Sequence, residues 1–550
     1  MTLAFTPSSR GLSFARGDHI TNAVPLIDVW LLADLHERHH LLVICDNDRT
    51  MDRMYRQFQH FDCHAITLPA WDCLPYDRAS PHPDILAKRA QSLAAIEALT
   101  PETPAIILTT LNASLQKYPP IAQSASRQLT LTPSMVIPRN ALLTHIRNLG
   151  FHRTETVREV GEYSLRGSII DIFAPANAEP VRIDFFGDEV ESLRNFDAYS
   201  QISTTKCDSI TITPIHELQI DTEMVASFRR QYRRLFGTKT ERDPLYLAIS
   251  EGRHFPGYEH WLPLFYKGLV SLFTLLPKTC LIVVCQNVHE LLPTRTEMIV
   301  DHYQARLQGL LATGDDNPDE IYRPIPSELL YLDETTWHDA TGGAITLHTD
   351  RNIAGAKSAH KLDIGNITPF HAERLQKSLA ETLPERLRDE LRDKKLVICC
   401  ASPGNQERII NIIADDETIT HRILTNVREY ATLPKFCLGL TILPLETGFT
   451  LPDAIIYADQ DIFGTPGQTR TRRTKQQDEA IMHDVSQITH GDYCVHQEYG
   501  IGRYLGLKTL QIKSSDHDCL ELEYANDDKL FLPVENIDLL SRHSSADTNL

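Results

Sequence analysis

The sequence predicts a multidomain α/β chain: an α/β domain of the nucleotide-binding layout with a small β-rich domain inserted, a further α/β domain, and a small β-barrel toward the C-terminal end. Three observations predict it. Apolar runs alternate with helical patterns over the first 120 residues, as in parallel sheets covered on both faces. From 127 to 213 the pattern changes to short segments of period two between turn residues, the mark of antiparallel strands. From 489 onward five or so such segments fall within about 55 residues, which suggests a small SH3-like barrel.

Residues 24–39 carry apolar positions at helical spacing, LLVIC at 41–45 is a buried-strand run, and a second helical pattern covers 48–60. HAITLPAW at 64–71 and AIILTT at 105–110 are further strands, with a helix between them at 86–99. The first strand–helix junction reads LLVICDNDRT, where Asp46, Asn47 and Asp48 would repel phosphate. The phosphate-cradling pattern G-x-x-x-x-G-K-[ST] occurs nowhere in the 550 residues. The layout is that of a nucleotide-binding domain without the nucleotide site. Asp478–Glu479–Ala480–Ile481 has the letters of an acidic Mg²⁺ box, but it follows a polar, basic run rather than a buried strand. It reads as coincidence.

GEYSLRGSIIDIF (161–173), PVRIDFFGDE (180–189) and VESLRNFD (190–197) read as consecutive antiparallel strands. In the second, Val181, Ile183 and Phe185 alternate with Arg182, Asp184 and Phe186, so the two sets lie on opposite faces. If the first set faces the core, Phe186 is an outward aromatic beside Arg182, and both residue types are enriched at interface anchors. The pattern alone also fits a sheet buried on both faces with an Arg–Asp pair at its rim.

Residues 214–350 return to mixed helix and strand, with KTCLIVVC (278–285) a strand and Arg229, Arg230, Arg233 and Arg234 on one helix face. That face reads as solvated, with a nucleic-acid patch as the other possibility. Residues 351–466 form another α/β unit with KLVICCA and LTILPL as strands, and 467–488 is a basic linker holding Arg470, Arg472, Arg473 and Lys475. In the last domain, 489–550, Leu520, Leu522 and Tyr524 alternate with Cys519, Glu521 and Glu523. Residues 485–550 hold five Lys+Arg against eleven Asp+Glu. That balance suits a protein partner better than a phosphate backbone, and an exposed strand edge would serve it by β-augmentation.

Length and composition agree with this layout. At roughly 150 residues per domain the chain holds three to four domains, and 42% hydrophobic with 23% charged content is ordinary for a globular protein. The net charge of −19 argues against non-specific nucleic-acid binding as the main task. The eleven cysteines include no C-x-x-C pair and several sit in apolar runs, so they read as reduced, buried thiols with no zinc site. With no signal peptide and no apolar stretch of 18 residues, a cytoplasmic location is expected.

Two segments together are specific. GFHRTETVREVGEYSLRGSIIDIFAPANAEPVRIDFFGDEVESLRNFD resembles domain 2 of the excision-repair protein UvrB and of the transcription-repair coupling factors. HGDYCVHQEYGIGRYLGLKTLQ with DCLELEYANDDKLFLPVENIDLLSR resembles the CarD-like, Tudor-like module that contacts RNA polymerase. Only the coupling factors join the two, and the stretches 68–85, 107–116, 255–266 and 458–464 also match their pattern.

The resemblance implies a UvrB-like degenerate P-loop-type α/β domain in two parts, 1–126 and 214–350, around a UvrA-binding domain 2 at 127–213. It implies Arg166, Arg182 and Phe186 as the UvrA-binding residues, which settles the open reading of that sheet in favour of an interface. It implies that the strand after G-I-G-R extends a sheet of the RNA polymerase β subunit, with Leu510, Lys508 and Thr509 at the contact. Tyr504 and Phe531 are weaker candidates there or barrel core. The family's motor, an ATP-driven double-stranded-DNA translocase, would follow the polymerase-contacting module. Its motifs are absent from these residues, so the chain is expected to be part of a longer polypeptide. On that reading it needs no cofactor, ATP and Mg belonging to the motor, and it has no ATPase activity alone. DNA is contacted weakly or through the motor. A CarD-like transcription regulator without a repair role is the alternative.

Overall fold

The structure, a computed structural model, describes residues 2–3, 17–120, 129–175, 177–215, 218, 220, 221–237, 243–313, 322–349, 359–368, 370, 379–414, 416, 418–464, 493–496, 500–512, 515–524, 529–533 and 540–542. The linker at 467–488, with its four basic residues and the Asp478–Ile481 decoy, lies outside them. Two compact units divide the chain, Met1–Gly464 and Thr465–Leu550.

The first unit is built on an eight-stranded parallel sheet. In spatial order its strands are Thr2–Leu3, Ala359–Leu362, His19–Thr21, Ile345–Leu347, Leu281–Cys285, Leu41–Cys45, Ile106–Thr110 and Ala65–Leu68. Every residue of Leu41–Cys45 and of Ile106–Thr110 is buried, which is why these strands read as continuous rather than alternating apolar runs. The strands before residue 126 and those after 280 share this one sheet. Ala359–Leu362, placed in the small α/β domain by the 350/351 boundary, pairs with His19–Thr21 and belongs to the large sheet. A four-residue strand of mixed polarity carries too weak a pattern to reveal a partner more than 300 positions away.

At the junction after Leu41–Cys45, Asn47 caps the helix Asp48–His60 by accepting the Thr50 N–H on its side-chain oxygen. Asp46 Oδ2 accepts from Asn287 Nδ2 at 3.1 Å. Asp48 is the acidic residue of the helix's first turn.

A six-stranded mixed sheet forms the smaller α/β layer: Gly365–Asn366, Phe449–Thr450, Ala454–Ala458, Lys395–Cys400, Cys437–Ile442 and Thr420–Ile423. Its inner face shares a core with the large sheet, since Val397, Cys399, Val427 and Tyr430 cluster with Trp30, Val43 and Phe61. Trp30 meets Tyr430 edge to face at 6.1 Å, and Arg428 pairs with Asp34 while lying over the Phe61 ring. The nine cysteines described are all free thiols, and burial raises those at 73, 280, 399 and 400 well above the ordinary value. Among the described residues no helix is long and apolar enough to cross a membrane.

Thr465–Leu550 carries a five-stranded antiparallel sheet, ordered Lys529–Pro533, Ser515–Glu523, Gly500–Ile512, Tyr493–His496 and Leu540–Arg542. Among the described residues no ladder joins its two outer strands.

Candidate functional site

Residues 152–206 form a six-stranded sheet whose central strands are Glu162–Arg166, Ile169–Ile172, Val181–Phe186 and Glu189–Phe196. Val181, Ile183 and Phe185 are buried with Ile170, Ile172, Val190 and Leu193, and the helix Arg139–Asn148 adds Leu142 and Ile146 to that core. Alternation therefore drives Arg182, Asp184 and Phe186 to the outer face.

Register assembles that face. Asp171 stands opposite both Ser164 and Arg182, Arg182 opposite Arg194, and Arg194 opposite Lys206. One step along, Ile169 stands opposite both Arg166 and Asp184. Opposed residues of an antiparallel pair point the same way, so Arg166, Arg182 and Phe186 share one face. The two hairpins fix this arrangement. Arg166 pairs with Ile169 around Gly167–Ser168, and Phe186 pairs with Glu189 around Gly187–Asp188. Gly167 and Gly187 have φ of +62° and +66°, which two-residue hairpins require at the first turn position. Both turns lie at the same end of the sheet, where Arg139 Nη1 donates to Gly167 O at 2.6 Å and Arg139 N to Asp188 Oδ1 at 3.3 Å.

The three residues differ in environment. Phe186 is 79% exposed. Arg166 is exposed and donates to Glu155 O at 2.8 Å and Thr156 Oγ1 at 3.2 Å. Arg182 is mostly enclosed: Nε and Nη2 donate to the two oxygens of Asp171 at 2.8 and 3.0 Å, and Nη1 donates to Gln201 O and Ser203 Oγ at 3.3 Å each. Its guanidinium also lies 4.7 Å from the centre of the Phe196 ring. The hydrogen bonds and charge of Asp171 outweigh burial and hold the Arg182 guanidinium above its ordinary value. Arg182 is thus paired with Asp171 of the neighbouring strand, while Phe186 on its own strand stays outward. Sequence reasoning missed Val136, 72% exposed and bridged to Glu189, and missed the exposed Arg194 and Lys206. The parity of Arg194 with Arg182 was within reach of hairpin geometry, whereas Val136 sits in a loop that carries no period.

In the second unit Leu520 and Leu522 are buried, and Tyr504 stands opposite Leu522. A side chain at Gly502 would lie 3.0 Å from the Tyr524 ring, so the second glycine of G-I-G-R lets that ring pack on the backbone. Gly506, at φ +131°, marks a bulge after Tyr504. The strand Gly500–Ile512 pairs with Tyr493–His496 only through Arg503. The ladder with Ser515–Glu523 on the other side runs on to Ile512. Lys508 is exposed on this segment, 4.0 Å from Glu521, which Lys529 also pairs at 2.8 Å. Thr509 and Leu510 have their backbones in this strand, opposite Asp518 and His517. Their side chains, and that of Phe531, lie outside the described residues.

The four arginines of the helix Thr222–Phe236 are exposed. Arg229 donates to the Tyr246 hydroxyl at 3.4 Å, and Arg233 lies 5.5 Å from the centre of that ring.

Comparison with known families matches residues 129–218 to the UvrB interaction domain and residues 488–544 to the CarD-like/TRCF RID domain. Among curated proteins, the transcription-repair-coupling factor of Rickettsia bellii is 28% identical over 93% of this chain and 44% of its own length. That of Escherichia coli K12 is 28% identical over 94% of this chain and 44% of its own length. That of Staphylococcus epidermidis is 23% identical over 96% and 45% respectively. The chain therefore spans less than half the length of the curated relatives it matches. Across nearly all of its residues it is similar to the amino-terminal part of the transcription-repair-coupling factors.

Proposed function

We propose that this chain is the recruiting part of a transcription-coupled nucleotide-excision repair protein. The sheet face of residues 129–218 binds UvrA through Arg166, Arg182 and Phe186. The strand Gly500–Ile512 adds itself to a sheet of the RNA polymerase β subunit, with Lys508, Thr509 and Leu510 at the contact. The observation that carries this reading is the union, in one polypeptide, of a UvrB-type interaction domain and a CarD-like module. The strand Gly500–Ile512 supports the second contact, because its ladder with Tyr493–His496 ends at Arg503 while that with Ser515–Glu523 runs on to Ile512, and strand addition uses main-chain groups along such an edge.

On this reading the large parallel sheet is a P-loop-type fold that keeps the architecture and lacks the phosphate loop, and the five-stranded sheet curls as a small SH3-like barrel. The chain works without a cofactor, hydrolyses no ATP and stays in the cytoplasm. ATP, Mg and the main grip on double-stranded DNA belong to a motor outside these residues. The parent protein uses that motor to displace stalled polymerase. The test is a ternary complex: this chain, UvrA and RNA polymerase core enzyme should co-elute on size exclusion, with neither partner displacing the other. Binding of polymerase alone would leave a CarD-like regulator as the better account.

A further inference from the structure

Besides Arg166, the outer face of the interaction sheet contains one arginine that is fully engaged and two cations with no ion pair among the described residues. Arg182 donates to both oxygens of Asp171, to Gln201 O and to Ser203 Oγ, and its plane covers Phe196. Phe196 is 0% exposed yet lies outside the main core of this domain. It sits beneath Arg182 and leads into the loop 197–203, which Asp197 opens by accepting the Tyr199 and Ser200 N–H groups. Gln201, at φ +60°, pins that loop by donating to Val157 O and Ala198 O. Arg182 is therefore the clamp of a small outer core, and an incoming partner would find its donors taken.

Arg194 and Lys206 contrast with it. They stand directly opposite each other on adjacent strands, both exposed. Neither has an ion pair or side-chain hydrogen bond among the described residues. Like charges directly opposite across a ladder are unfavourable, and such breaches of a local rule concentrate at functional surfaces. At the hairpin end of the same face, Phe186 and Val136, 79% and 72% exposed, flank Glu189.

We propose that Arg182 is a positioning residue, holding the loop 197–203 in place. Direct contact on this face then falls to Arg166, to Phe186 and Val136 as apolar anchors, and to Arg194 and Lys206 as grips for an acidic protein surface. The inference rests on the UvrA-binding reading of this face and refines it. Charge complementarity selects the occupant: in a chain of net charge −19 this pair of cations has no ion pair among the described residues, so the patch fits carboxylates of a protein.

The probe is purified UvrA, titrated against the intact chain. Asp171, 1% exposed, is out of a partner's reach. Asp171→Asn should nonetheless weaken binding as much as Arg182→Ala, the double variant should lose no more than either, and both should speed hydrogen exchange of residues 198–203. Gln201→Gly, which suits the positive φ and loosens the same loop, should act in the same direction, and it serves if Asp171→Asn fails to fold. Arg194→Glu with Lys206→Glu should lower affinity at least tenfold and flatten its salt dependence. If Asp171→Asn or Gln201→Gly binds as the parent does while Arg182→Ala does not, Arg182 is a contact and the proposal is overturned. Charge reversal without effect overturns the acidic-partner half. If Phe186→Ala also binds unchanged, the UvrA reading itself fails, and the proposal with it.

Discussion

Arg182 and Asp171 face each other across two adjacent antiparallel strands and close a two-armed ion pair, Nε to Oδ1 at 2.8 Å and Nη2 to Oδ2 at 3.0 Å. The Asp171 side chain is 1% exposed and that of Arg182 is 21% exposed. Removing the arginine strands a buried carboxylate, so Arg182→Ala should destabilise the domain by about 3 kcal/mol, near the lower end for breaking a buried pair because Arg182 still meets water. Urea unfolding of the intact chain, followed by fluorescence, checks this. A change under about 0.5 kcal/mol, the ordinary surface value, would mean the pair contributes no net stability.

Phe186 offers the opposite combination. At 79% exposed it contributes little to the fold, so Phe186→Ala should leave the unfolding midpoint in place. As an anchor it should weaken UvrA binding by roughly 1–3 kcal/mol. A variant that melts early would show instead that the ring packs on the sheet.

At the other end of the chain, a charge placed by Leu510→Glu should abolish RNA polymerase binding and spare UvrA binding, since position 510 lies beyond Arg503, where the ladder with Tyr493–His496 ends. Surface immobilisation of each partner in turn separates the two affinities. Equal loss of both would point to unfolding, and unchanged polymerase affinity would move the contact to another part of the module.

These contrasts mark what could be read from the residues. Alternation in Val181–Phe186 was enough to separate Val181, Ile183 and Phe185 from Arg182, Asp184 and Phe186, because a strand divides its side chains by parity, but which set meets the core came only with the packing. The junction LLVICDNDRT carries neither the glycines nor the lysine that a phosphate loop needs at fixed positions, and that is read from the letters alone. Asp171 as the partner of Arg182 was not legible, for it depends on the loop between Ile172 and Val181 setting the register. Phe196 beneath Arg182 depends on how Val181–Phe186 and Glu189–Phe196 pair. The union of Ala359–Leu362 with His19–Thr21 rests on packing between segments that carry no mutual pattern.

The shared core of the two α/β layers gives a further expectation. Trp30 and Tyr430, at 0% exposure each, meet across the junction between them. Tyr430→Ala should cost about 3–5 kcal/mol, as large aromatic truncations do. It should lower the melting of both layers together rather than release one. Calorimetry of the intact chain reads this as one transition shifted whole. Two separated transitions would mean that each layer is held by its own core.

His260 makes stability depend on acidity. It is 1% exposed, with Trp71 edge-on at 5.5 Å and Tyr76 stacked at 6.2 Å. Burial first, then the charge of Arg306, pushes its pKa down from the ordinary 6.5 to about 3. The folded ring is neutral, whereas the unfolded chain takes up a proton once the pH falls below about 6.5. Its contribution is therefore complete above that value and is lost as the pH drops toward 3, at approximately 1.4 kcal/mol per pH unit. In urea titrations from pH 8 to pH 4, His260→Phe should flatten the acid limb by that slope relative to the parent chain. Parallel acid limbs would mean that the imidazole is protonated in the fold, with a counter-charge gathered around it.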